Sequence, residues 1–425
     1  MENNVAFTAY LKNIRPIEGA DRIVQADVVL NGTTITQVVV GKDTQENTHI
    51  AYFDSNMALS DRIVADYPEL ATYLAKGNRV KVVKLKGVIS NGLAVEVNKF
   101  ARYMDAYNVT FSEGFSFTSL NGIEICHKWI PPVKNTPTQG KKKGRSGKTI
   151  SRMIPGQFHF HIDTDQLPRN LHKLEPDQII SISRKIHGSS FISSCCLVKK
   201  PLNLISKIAK IIGIPVIDTE YAMIYSSRTV VKNDCPTKGF YGTDIWIVLG
   251  EKYFKGKLHE GESTYGEVVG YLPGSSSMIQ KGYPYGCAVG EYKIAIYRIT
   301  KTGPDGDVVE YSWQAMKERC KELGVPMVQE YDYGRVSSIY ADYTGWNCHT
   351  QDDWRNRFMA NLKARYLEKD ATDCNGNPDE GIVIRIEGKD IQAYKYKSER
   401  FLLKESKAKE EEVVDIEDQE QAQNN

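Results

Sequence analysis

Short apolar and β-branched runs, separated by Asn-Gly pairs, dominate the first hundred residues. Two pairs of such runs occur, residues 22–30 with 33–40 and residues 79–86 with 93–97. Asn31-Gly32 and Asn91-Gly92 separate the members of each pair, and Asn-Gly between strand-like runs is the strongest short-range hairpin signal. With one helix expected near residues 60–76, the pattern predicts a small β-barrel of the OB type over residues 1–125.

The second predicted hairpin has a basic strand. Its cations are Arg79, Lys81, Lys84 and Lys86. A row of cations on an exposed strand can contact the phosphates of RNA. It can equally be a solvated strand face, and the sequence leaves both interpretations open.

The chain beyond residue 150 mixes strand-like runs with apolar stripes at helical spacing. Two stripes are clear: Trp313, Met316, Cys320 and Leu323, which Gly324 and Pro326 follow, and Trp354, Phe358 and Leu362. Residues three or four apart lie on one face of a helix, and Gly and Pro mark the end of a helix. Both stripes therefore predict helices that pack on a core.

Two polar segments divide the chain. Residues 126–150 contain a stretch rich in Pro, Gly, Thr and Lys and predict a basic linker. Residues 141–145 within it could bind phosphates without sequence preference or only keep the linker soluble. Residues 404–425 are mostly polar or acidic and predict a disordered tail.

Composition and charge place the chain among ordinary globular proteins. With 425 residues, 41% of them hydrophobic and 25% charged, two or three domains are expected, and collagen-like or wholly disordered chains are excluded. The net charge of 55 − 53 = +2 hides a basic segment and an acidic tail. Residues 134–148 carry six basic residues and no acid, whereas residues 405–425 carry eight acids and two lysines. The basic segment suits an anionic partner such as nucleic acid.

The eight cysteines form no Cys-x-x-Cys pair and are scattered along the chain. This spacing fits neither a zinc ribbon nor a disulfide framework, including at Cys126-His127 and Cys348-His349. No apolar run is long enough to span a bilayer, and the N-terminus lacks the features of a secretory signal. We therefore expect a cytoplasmic protein without membrane contact, and a monomer, since nothing indicates an oligomer.

The segment that ends at Lys185 is the most informative in the chain. A β-rich run, residues 179–184, delivers Lys185 into a turn that contains Gly188. Taken alone, this lysine would be read as a solvated turn residue. Four later segments change that interpretation.

These later segments contribute charges at positions where a charge is costly. Glu267 and Glu380 each lie next to or within an apolar strand, where a carboxylate needs a cation or a metal as partner. Lys395 and Lys397 alternate along a short strand and therefore share one face. Two adjacent ammonium groups repel each other unless an anion such as phosphate lies between them. Arg228 ends another strand-like run with a fixed cation.

Together these residues suit attack of a lysine amine on the α-phosphate of a nucleotide, with release of pyrophosphate. The amine must be neutral to attack, which neighbouring cations and a metal favour. Carboxylates can hold a divalent metal that neutralises charge during in-line transfer. Neither a Walker A motif nor a Rossmann glycine pattern is present.

The chain resembles the covalent nucleotidyltransferase superfamily of RNA ligases, DNA ligases and mRNA capping enzymes. Lys185-Ile186-His187-Gly188 matches its defining Lys-x-Asp/His-Gly motif. The remaining motifs follow in the family's order: Arg228, Glu267, Tyr297 in 294–299, Glu380, and Lys395 with Lys397. The resemblance covers residues 150 to 403, and five motifs in order are far more specific than one.

The domain order points to one branch of the superfamily. DNA ligases and capping enzymes carry an OB domain after the Lys-x-Lys motif, but only 28 residues follow Lys397 (425 − 397), and they are mostly polar or acidic. The resemblance therefore implies the RNA ligase subfamily with an N-terminal OB domain. Its fold class is α+β: an OB-type barrel over 1–125, the linker over 126–150, a nucleotidyltransferase domain of antiparallel sheets and helices over 151–403, and the tail.

The resemblance also implies a reaction and a role for each residue. Lys185 would attack ATP, and the AMP would pass to an RNA 5′-phosphate, which the RNA 3′-hydroxyl then attacks with release of AMP. Lys395 and Lys397 would contact the transferred phosphate, and Tyr297 would stack on the base. Glu267 and Arg228 would hold the ribose, and Glu380, Glu267 and His187 would hold Mg²⁺ or Mn²⁺. RNA with 3′-hydroxyl and 5′-phosphate ends is the implied partner, and RNA repair the implied purpose.

Three alternatives stay open at this point. His187 replaces the commoner Asp, so it could contact metal-bound water, the ribose or a structural partner. The chain could instead be a DNA ligase or an mRNA capping guanylyltransferase of the same superfamily. It could also be a non-catalytic RNA-binding protein that uses only its barrel and basic linker.

Overall fold

The computed structural model describes residues 5–104, 111–130, 152–232, 245–341 and 351–411. These residues form a mixed α+β structure with a curled N-terminal half-barrel and antiparallel sheets after it. No helix in the described ranges is long and apolar enough to cross a membrane.

The described residues of the N-terminal part form fourteen strands and one short α-helix, α1 (Asp61–Asp66). The strands are β1 (Ala6–Pro16), β2 (Ile23–Leu30), β3 (Thr33–Gly41), β4 (His49–Phe53), β5 (Met57–Leu59), β6 (Leu74–Ala75), β7 (Arg79–Val80), β8 (Val82–Leu85), β9 (Val88–Asn91), β10 (Leu93–Glu96), β11 (Ser116–Phe117), β12 (Ser119–Leu120), β13 (Ile123–Glu124) and β14 (Cys126–Lys128). The main sheet has the order β10-β4-β1-β2-β3, with β11 also on β1, and a smaller sheet has the order β14-β5-β7-β6.

The first predicted hairpin is confirmed. β2 pairs with β3 in antiparallel register from Ile23↔Gly41 to Leu30↔Thr33. Asn31 and Gly32 both have positive φ, 50° and 77°. Two consecutive positive φ angles belong to the type I′ turn, which Asn-Gly adopts at little cost and whose twist matches the strands.

The second predicted hairpin is wrong in its turn. The hairpin joins β8 to β9 through Lys86 and Gly87, which have φ angles of 47° and 88°. At Gly92 the chain instead crosses to the main sheet, where β10 pairs with β4. A Cβ at Gly92 would lie 2.6 Å from the Phe53 carbonyl oxygen, so a glycine here allows two segments of the backbone to approach closely.

The helix expected near residues 60–76 is shorter than predicted. Ser60 caps α1, since its side chain accepts a hydrogen bond from the Ile63 N–H. The α-helix ends at Asp66, and a 3₁₀ turn over Pro68–Tyr73 follows it. Pro68 explains the break, because a proline disfavours helical geometry in the residue before it.

The C-terminal part supplies two five-stranded sheets and seven helices within the described residues. Its strands are β15 (Asp165–Gln166), β16 (Ile179–Lys185), β17 (Ser189–Lys199), β18 (Thr219–Ser226), β19 (Glu262–Gly270), β20 (Tyr292–Thr302), β21 (Val308–Glu310), β22 (Glu330–Arg335), β23 (Asp370–Ala371), β24 (Asn377–Pro378), β25 (Gly381–Ile386) and β26 (Gln392–Lys397). Its helices are α2 (Leu167–Asn170), α3 (Leu204–Ile211), α4 (Ile245–Tyr253), α5 (Trp313–Leu323), α6 (Val336–Ala341), α7 (Gln351–Tyr366) and α8 (Glu399–Glu410). The sheet orders are β15-β26-β25-β16-β22 and β18-β17-β19-β20-β21.

Both predicted apolar stripes are confirmed as core helices. In α5 the four stripe residues are buried, Ser312 caps the N-terminus, and Gly324 ends the helix with a φ of 68°. In α7 the three stripe residues, Trp354, Phe358 and Leu362, pack against β16 and β25. One helix thus covers each sheet and holds the strands that carry the charged residues.

Two predicted boundaries need correction. Cys126–Lys128 forms β14 and pairs with β5, so the linker cannot begin at residue 126; residues 131–150 lie outside the described ranges. The C-terminal part does not end at residue 403, because α8 continues to Glu410. Buried Phe401 and Ser406 on this helix face the rest of the protein, and residues 412–425 lie outside the described ranges.

The predicted basic strand is also corrected at Arg79. Its side chain is buried, with Nη2 donating to the Ser406 carbonyl oxygen at 3.1 Å. The Ser406 hydroxyl in turn accepts from the Val82 N–H at 3.1 Å. Arg79 therefore ties the N-terminal part to α8 and does not lie on an RNA-facing edge.

Replacing Arg79 should cost stability. We expect Arg79→Met to lower the free energy of unfolding by about 1–3 kcal/mol, because the Ser406 carbonyl loses its buried donor. Thermal or urea unfolding measures this, with Lys84→Met as the control because Lys84 is exposed on β8. Reduced RNA affinity at unchanged stability would contradict the structural role.

Candidate active site

The strand register brings the central charges together. Lys185 is the last residue of β16, and its Cα partner on β25 is Gly381. Gly381 also pairs with Lys397 at the end of β26, and Glu380 directly precedes β25. Three separate sequence motifs therefore meet at the same end of three adjacent strands, at a cavity of about 190 Å³.

A buried carboxylate contacts two lysines at these strand ends. Glu380 Oε1 lies 3.0 Å from Lys185 Nζ and 3.1 Å from Lys397 Nζ. The Glu380 side chain is only 2% exposed. Burial alone raises the pKa of Glu380, but Lys185 and Lys397 hold that pKa at about 2, so the group is a carboxylate at neutral pH.

Lys395 and Lys397 differ in their surroundings. Burial, and next the neighbouring charge of Lys397, lower the pKa of Lys395 to about 8. Burial also opposes the charge on Lys397, but Glu405 and Glu380 outweigh it and raise the pKa of Lys397. Lys397 is thus held as a fixed cation, whereas Lys395 titrates close to neutral pH.

His187 lies in an aromatic setting two residues after Lys185. Its ring centroid is 5.0 Å from that of Tyr283 and 5.1 Å from that of Phe401, both edge-to-face. Its backbone N–H donates to the Tyr285 hydroxyl at 2.7 Å. Burial lowers the pKa of His187 to about 4, so the imidazole is neutral at pH 7.

Arg228 lies across the cavity, in an ion pair with Asp163. Burial raises the pKa of Asp163, but Arg228 and Lys395 outweigh it and lower that pKa. His161, also at the cavity, has its pKa lowered to about 3 by burial and then by Arg228. The fixed charges of this wall are therefore Arg228 and Asp163.

Glu267 and Tyr297 differ in how they meet the cavity. Glu267 lines the cavity from β19, where its Cα partners are Ser190 and Ala295. Tyr297, on β20, is not among the described residues that line it. Its ring instead contacts His161 edge-on at 5.4 Å, and His161 lines the cavity. The predicted residues thus come together at the cavity except for Tyr297, which His161 separates from it.

Two glycines allow the strands to approach so closely. A Cβ at Gly188, in the turn after Lys185, would lie 2.7 Å from the Val268 carbonyl oxygen. Gly381 has a φ of 140°, and a Cβ there would lie 2.2 Å from the Tyr396 carbonyl oxygen. Any side chain at either position would push apart the strands that carry the charged residues.

Several cavity residues were not predicted from the sequence. The N-terminal part contributes Asp54, Asn56, Lys128 and Trp129, and α8 contributes Glu405 and Lys409. Glu405 lies 3.5 Å from Lys397 Nζ and 3.6 Å from Lys409 Nζ. The Glu-to-Lys spacing of four in α8 was a visible helical signal, but the N-terminal residues gave none.

Comparison with known proteins depends on structure. No family model matches the sequence, and a search of curated proteins gives no match. A mutant of Naegleria gruberi RNA ligase with AMP and Mn aligns with a TM-score of 0.60 at 17% identity, over 95% of this chain and 99% of that chain. The chain has the fold of an RNA ligase.

Further structures of the Naegleria gruberi RNA ligase agree with this fold. The structure with PPi gives a TM-score of 0.59 at 16% identity, over 96% of this chain and 100% of that chain. A mutant with ATP and Mn gives 0.58 at 17% identity, over 94% and 98%. The likeness covers both parts of the chain, so the N-terminal sheet belongs to the shared RNA-ligase fold.

The donors present fit a divalent ion held together with nucleotide phosphates. Glu380 Oε2 is buried and has no hydrogen-bond partner. Among the described residues no group of three or more His, Cys, Asp or Glu side chains could hold a metal. Mg²⁺ usually binds one or two carboxylates plus substrate phosphates and water, so Glu380 alone at this position is compatible with it.

Proposed function

We propose that this protein is an ATP-dependent RNA ligase that joins 3′-hydroxyl and 5′-phosphate ends through lysyl-AMP and 5′-adenylylated RNA. The observation that carries the proposal is the contact of Lys185 with buried Glu380, beside Lys395 and Lys397, in a cavity of an RNA-ligase fold. The joining of such ends is a reaction of RNA repair. In this proposal the curled N-terminal half-barrel is an OB-type domain.

The charge of the cavity suits a nucleoside triphosphate. Six cationic side chains line it together with five carboxylates, and the cations are Lys128, Lys185, Arg228, Lys395, Lys397 and Lys409. They come from the N-terminal part, from β16 and β26, from the segment that follows β18 and from α8. Cations arranged around a phosphate chain fix its direction and stabilise the charge that develops during transfer.

In the first step the Lys185 amine attacks the α-phosphorus of ATP. A bond forms between Nζ and phosphorus, the bond to the bridging oxygen of pyrophosphate breaks, and the amine's proton passes to solvent. The strongly acidic Glu380 cannot be the base that keeps this proton, because its pKa lies at about 2. Its role is to orient Lys185, and Lys395 and Lys397 then bind the transferred phosphate.

A divalent cation such as Mg²⁺ or Mn²⁺ would neutralise phosphate charge during the transfer. Glu380, with its unpartnered Oε2, is the residue best placed to hold it. Glu267 lies at the same cavity and would bind the ion or the ribose. His187 is neutral and lies between two aromatic rings, which favours a positioning role over metal contact.

The next two steps use the same residues. The 5′-phosphate of RNA attacks the lysyl-AMP phosphorus, and Lys185 leaves as the amine. The RNA 3′-hydroxyl then attacks the 5′-phosphate, and AMP leaves. Arg228, held in place by Asp163, would bind the ribose or the RNA terminus, and His161 packed on Tyr297 would provide the wall for the base.

ATP affinity should fall in alkaline solution because of Lys395. The Lys395 side chain is positively charged when the pH lies well below its pKa of about 8, and it loses this charge as the pH rises through that value. Bound phosphate favours the charged form, so we expect affinity to be constant below pH 8 and to weaken by up to about tenfold per pH unit above it. Calorimetry with an ATP analogue that has carbon at the α–β bridge measures this without reaction.

The matched control for this titration is Lys395→Arg. Its guanidinium stays charged throughout the range, so its affinity profile should be flat above pH 8. An identical alkaline decline in the wild type and in Lys395→Arg would show that another group is responsible.

The proposed function is tested by end-joining assays with matched substrates. RNA ends carrying 3′-hydroxyl and 5′-phosphate should be sealed with ATP, whereas a substrate with an all-DNA 3′ end should be sealed poorly. Preference for the all-DNA end would indicate a DNA ligase. Covalent capture of GTP instead of ATP would indicate a capping enzyme. RNA binding that does not depend on ATP or Lys185, without joining, would leave only a binding protein.

A further inference from the structure

A second, larger cavity lies between the two parts of the chain, beside the first. Its volume is about 440 Å³, within the range of sites that hold small molecules. β3 of the N-terminal sheet forms one wall, and α2 and α7 form the other. Asp54, Asn56, Gln166 and Lys397 line both cavities, so the second opens beside the phosphate-binding lysines.

The charged groups of this seam cavity compensate one another. Every charged side chain that lines it in the described part of the chain has an opposite charge within 4 Å, in three pairs: Asp54 with Arg169, Lys363 with Glu399, and Lys397 with Glu380. The first cavity has six cations and five carboxylates, and among the described residues its Lys395 forms no ion pair. A phosphate chain would therefore meet an uncompensated cation in the first cavity, but only paired charges in the seam cavity.

The remaining walls are neutral and combine polar with apolar side chains. Amides and hydroxyls come from both sides of the seam, including Thr34, Gln37, Asn91, Gln166 and Asn356. Such groups donate and accept hydrogen bonds as the edges of a base and the hydroxyls of a ribose require. The seam cavity thus offers nucleoside chemistry next to a site with phosphate chemistry.

We infer that the seam cavity binds the terminal nucleoside of an RNA end while the phosphate of the junction lies at Lys395 and Lys397. This inference rests on the proposed ligase function and adds to it a site for the polynucleotide. The nucleoside can belong to the strand with the 5′-phosphate or to the strand with the 3′-hydroxyl. Both present the same base and ribose to the walls.

The test fills the cavity without touching the ATP site. Ala360 is exposed on α7 and lines the seam cavity, whereas Ala364, one turn farther along, is exposed and does not line it. We expect Ala360→Trp to keep lysine adenylylation by α-labelled ATP close to that of the wild type. We expect it to slow RNA sealing at least about tenfold, while Ala364→Trp changes neither.

Separate assays of the later steps identify the strand. A defect in AMP transfer from adenylylated protein to a 5′-phosphate RNA places the 5′-strand nucleoside in the cavity. A defect only in sealing pre-adenylylated RNA to a 3′-hydroxyl strand places the other nucleoside there. Sealing by Ala360→Trp at the rate of Ala364→Trp overturns the inference.

Failure of the proposed function gives a different pattern, because the wild type would then join no RNA ends. If Ala360→Trp also loses lysine adenylylation, Asn356→Leu decides, since it removes an exposed amide from the same wall at similar volume. Normal adenylylation with slower sealing in Asn356→Leu supports the inference. Normal adenylylation with normal sealing overturns it.

Discussion

Lys185→Ala should reduce RNA joining from 5′-phosphate ends to background, a loss of at least about a thousandfold. In the proposed mechanism AMP is transferred to this amine, which lies at the end of β16, 3.0 Å from Glu380. Removal of the nucleophile should also abolish transfer of label from α-labelled ATP to the protein. Denaturing gels and an RNA end-joining assay measure the two losses.

The same variant carries its own control. Pre-adenylylated RNA already contains the AMP that Lys185 would supply, so Lys185→Ala should still seal it to a 3′-hydroxyl strand. This result would separate loss of the nucleophile from loss of the fold. Joining of 5′-phosphate RNA by Lys185→Ala at a substantial rate would contradict the covalent mechanism.

Glu380→Gln should have the second-largest effect. The carboxylate contacts two cations, at 3.0 Å and 3.1 Å, and its side chain is almost fully buried. Its neutralisation removes the carboxylate between Lys185 and Lys397, so that Lys397 keeps Glu405 but Lys185 loses its ion pair. It also removes the charged oxygen best placed for a metal. We expect lysine adenylylation to fall by about a hundredfold or more, and stability by about 3–5 kcal/mol.

Glu262→Gln provides the matched comparison for Glu380→Gln. Glu262 is fully buried on β19, and Arg319 donates to both of its oxygens at 2.8 Å, away from the cavity. Both variants lose a buried ion pair, so both should unfold at lower denaturant concentration. Only Glu380→Gln should lose adenylylation at temperatures where both are folded. Equal activity losses would reduce Glu380 to a structural role.

The sequence predicted most of the charged site because each motif carries its own local signal. Lys185 at a strand end, Glu380 before an apolar strand, and Lys395 alternating with Lys397 are all visible without the fold. Their meeting at one edge follows from antiparallel register, with Lys185 opposite Gly381 and Gly381 opposite Lys397. The resemblance supplied the order of the motifs, and the structure supplied the distances.

The unpredicted part of the site depends on contacts between distant segments. Asp54 and Lys128 have no local pattern that marks them, and they reach the cavity only because the N-terminal part packs against α8. Glu405 lies in the segment predicted to be a disordered tail, because that segment is mostly polar or acidic. Two lysine partners and buried Phe401 make that segment an ordered helix. Side chains that act across a domain seam cannot be found from periodicity.

The same limit explains the error at the second hairpin and at Arg79. Asn91-Gly92 is a strong local turn signal, but the close approach of Gly92 to Phe53 redirects the chain into the main sheet. The sequence predicts Arg79 as a surface cation, but in the fold its guanidinium is buried against Ser406 on α8. In both cases a tertiary contact outweighs the local preference.

The most direct test of the covalent RNA ligase mechanism is a pulse and chase with α-labelled ATP. Wild-type protein with a divalent metal should acquire label that survives denaturation, and 5′-phosphate RNA added afterwards should remove that label as adenylylated RNA. Sealing to a 3′-hydroxyl strand should then release labelled AMP. A protein whose intact mass is unmodified and that takes no label from ATP, or whose label does not pass to RNA, would contradict the account.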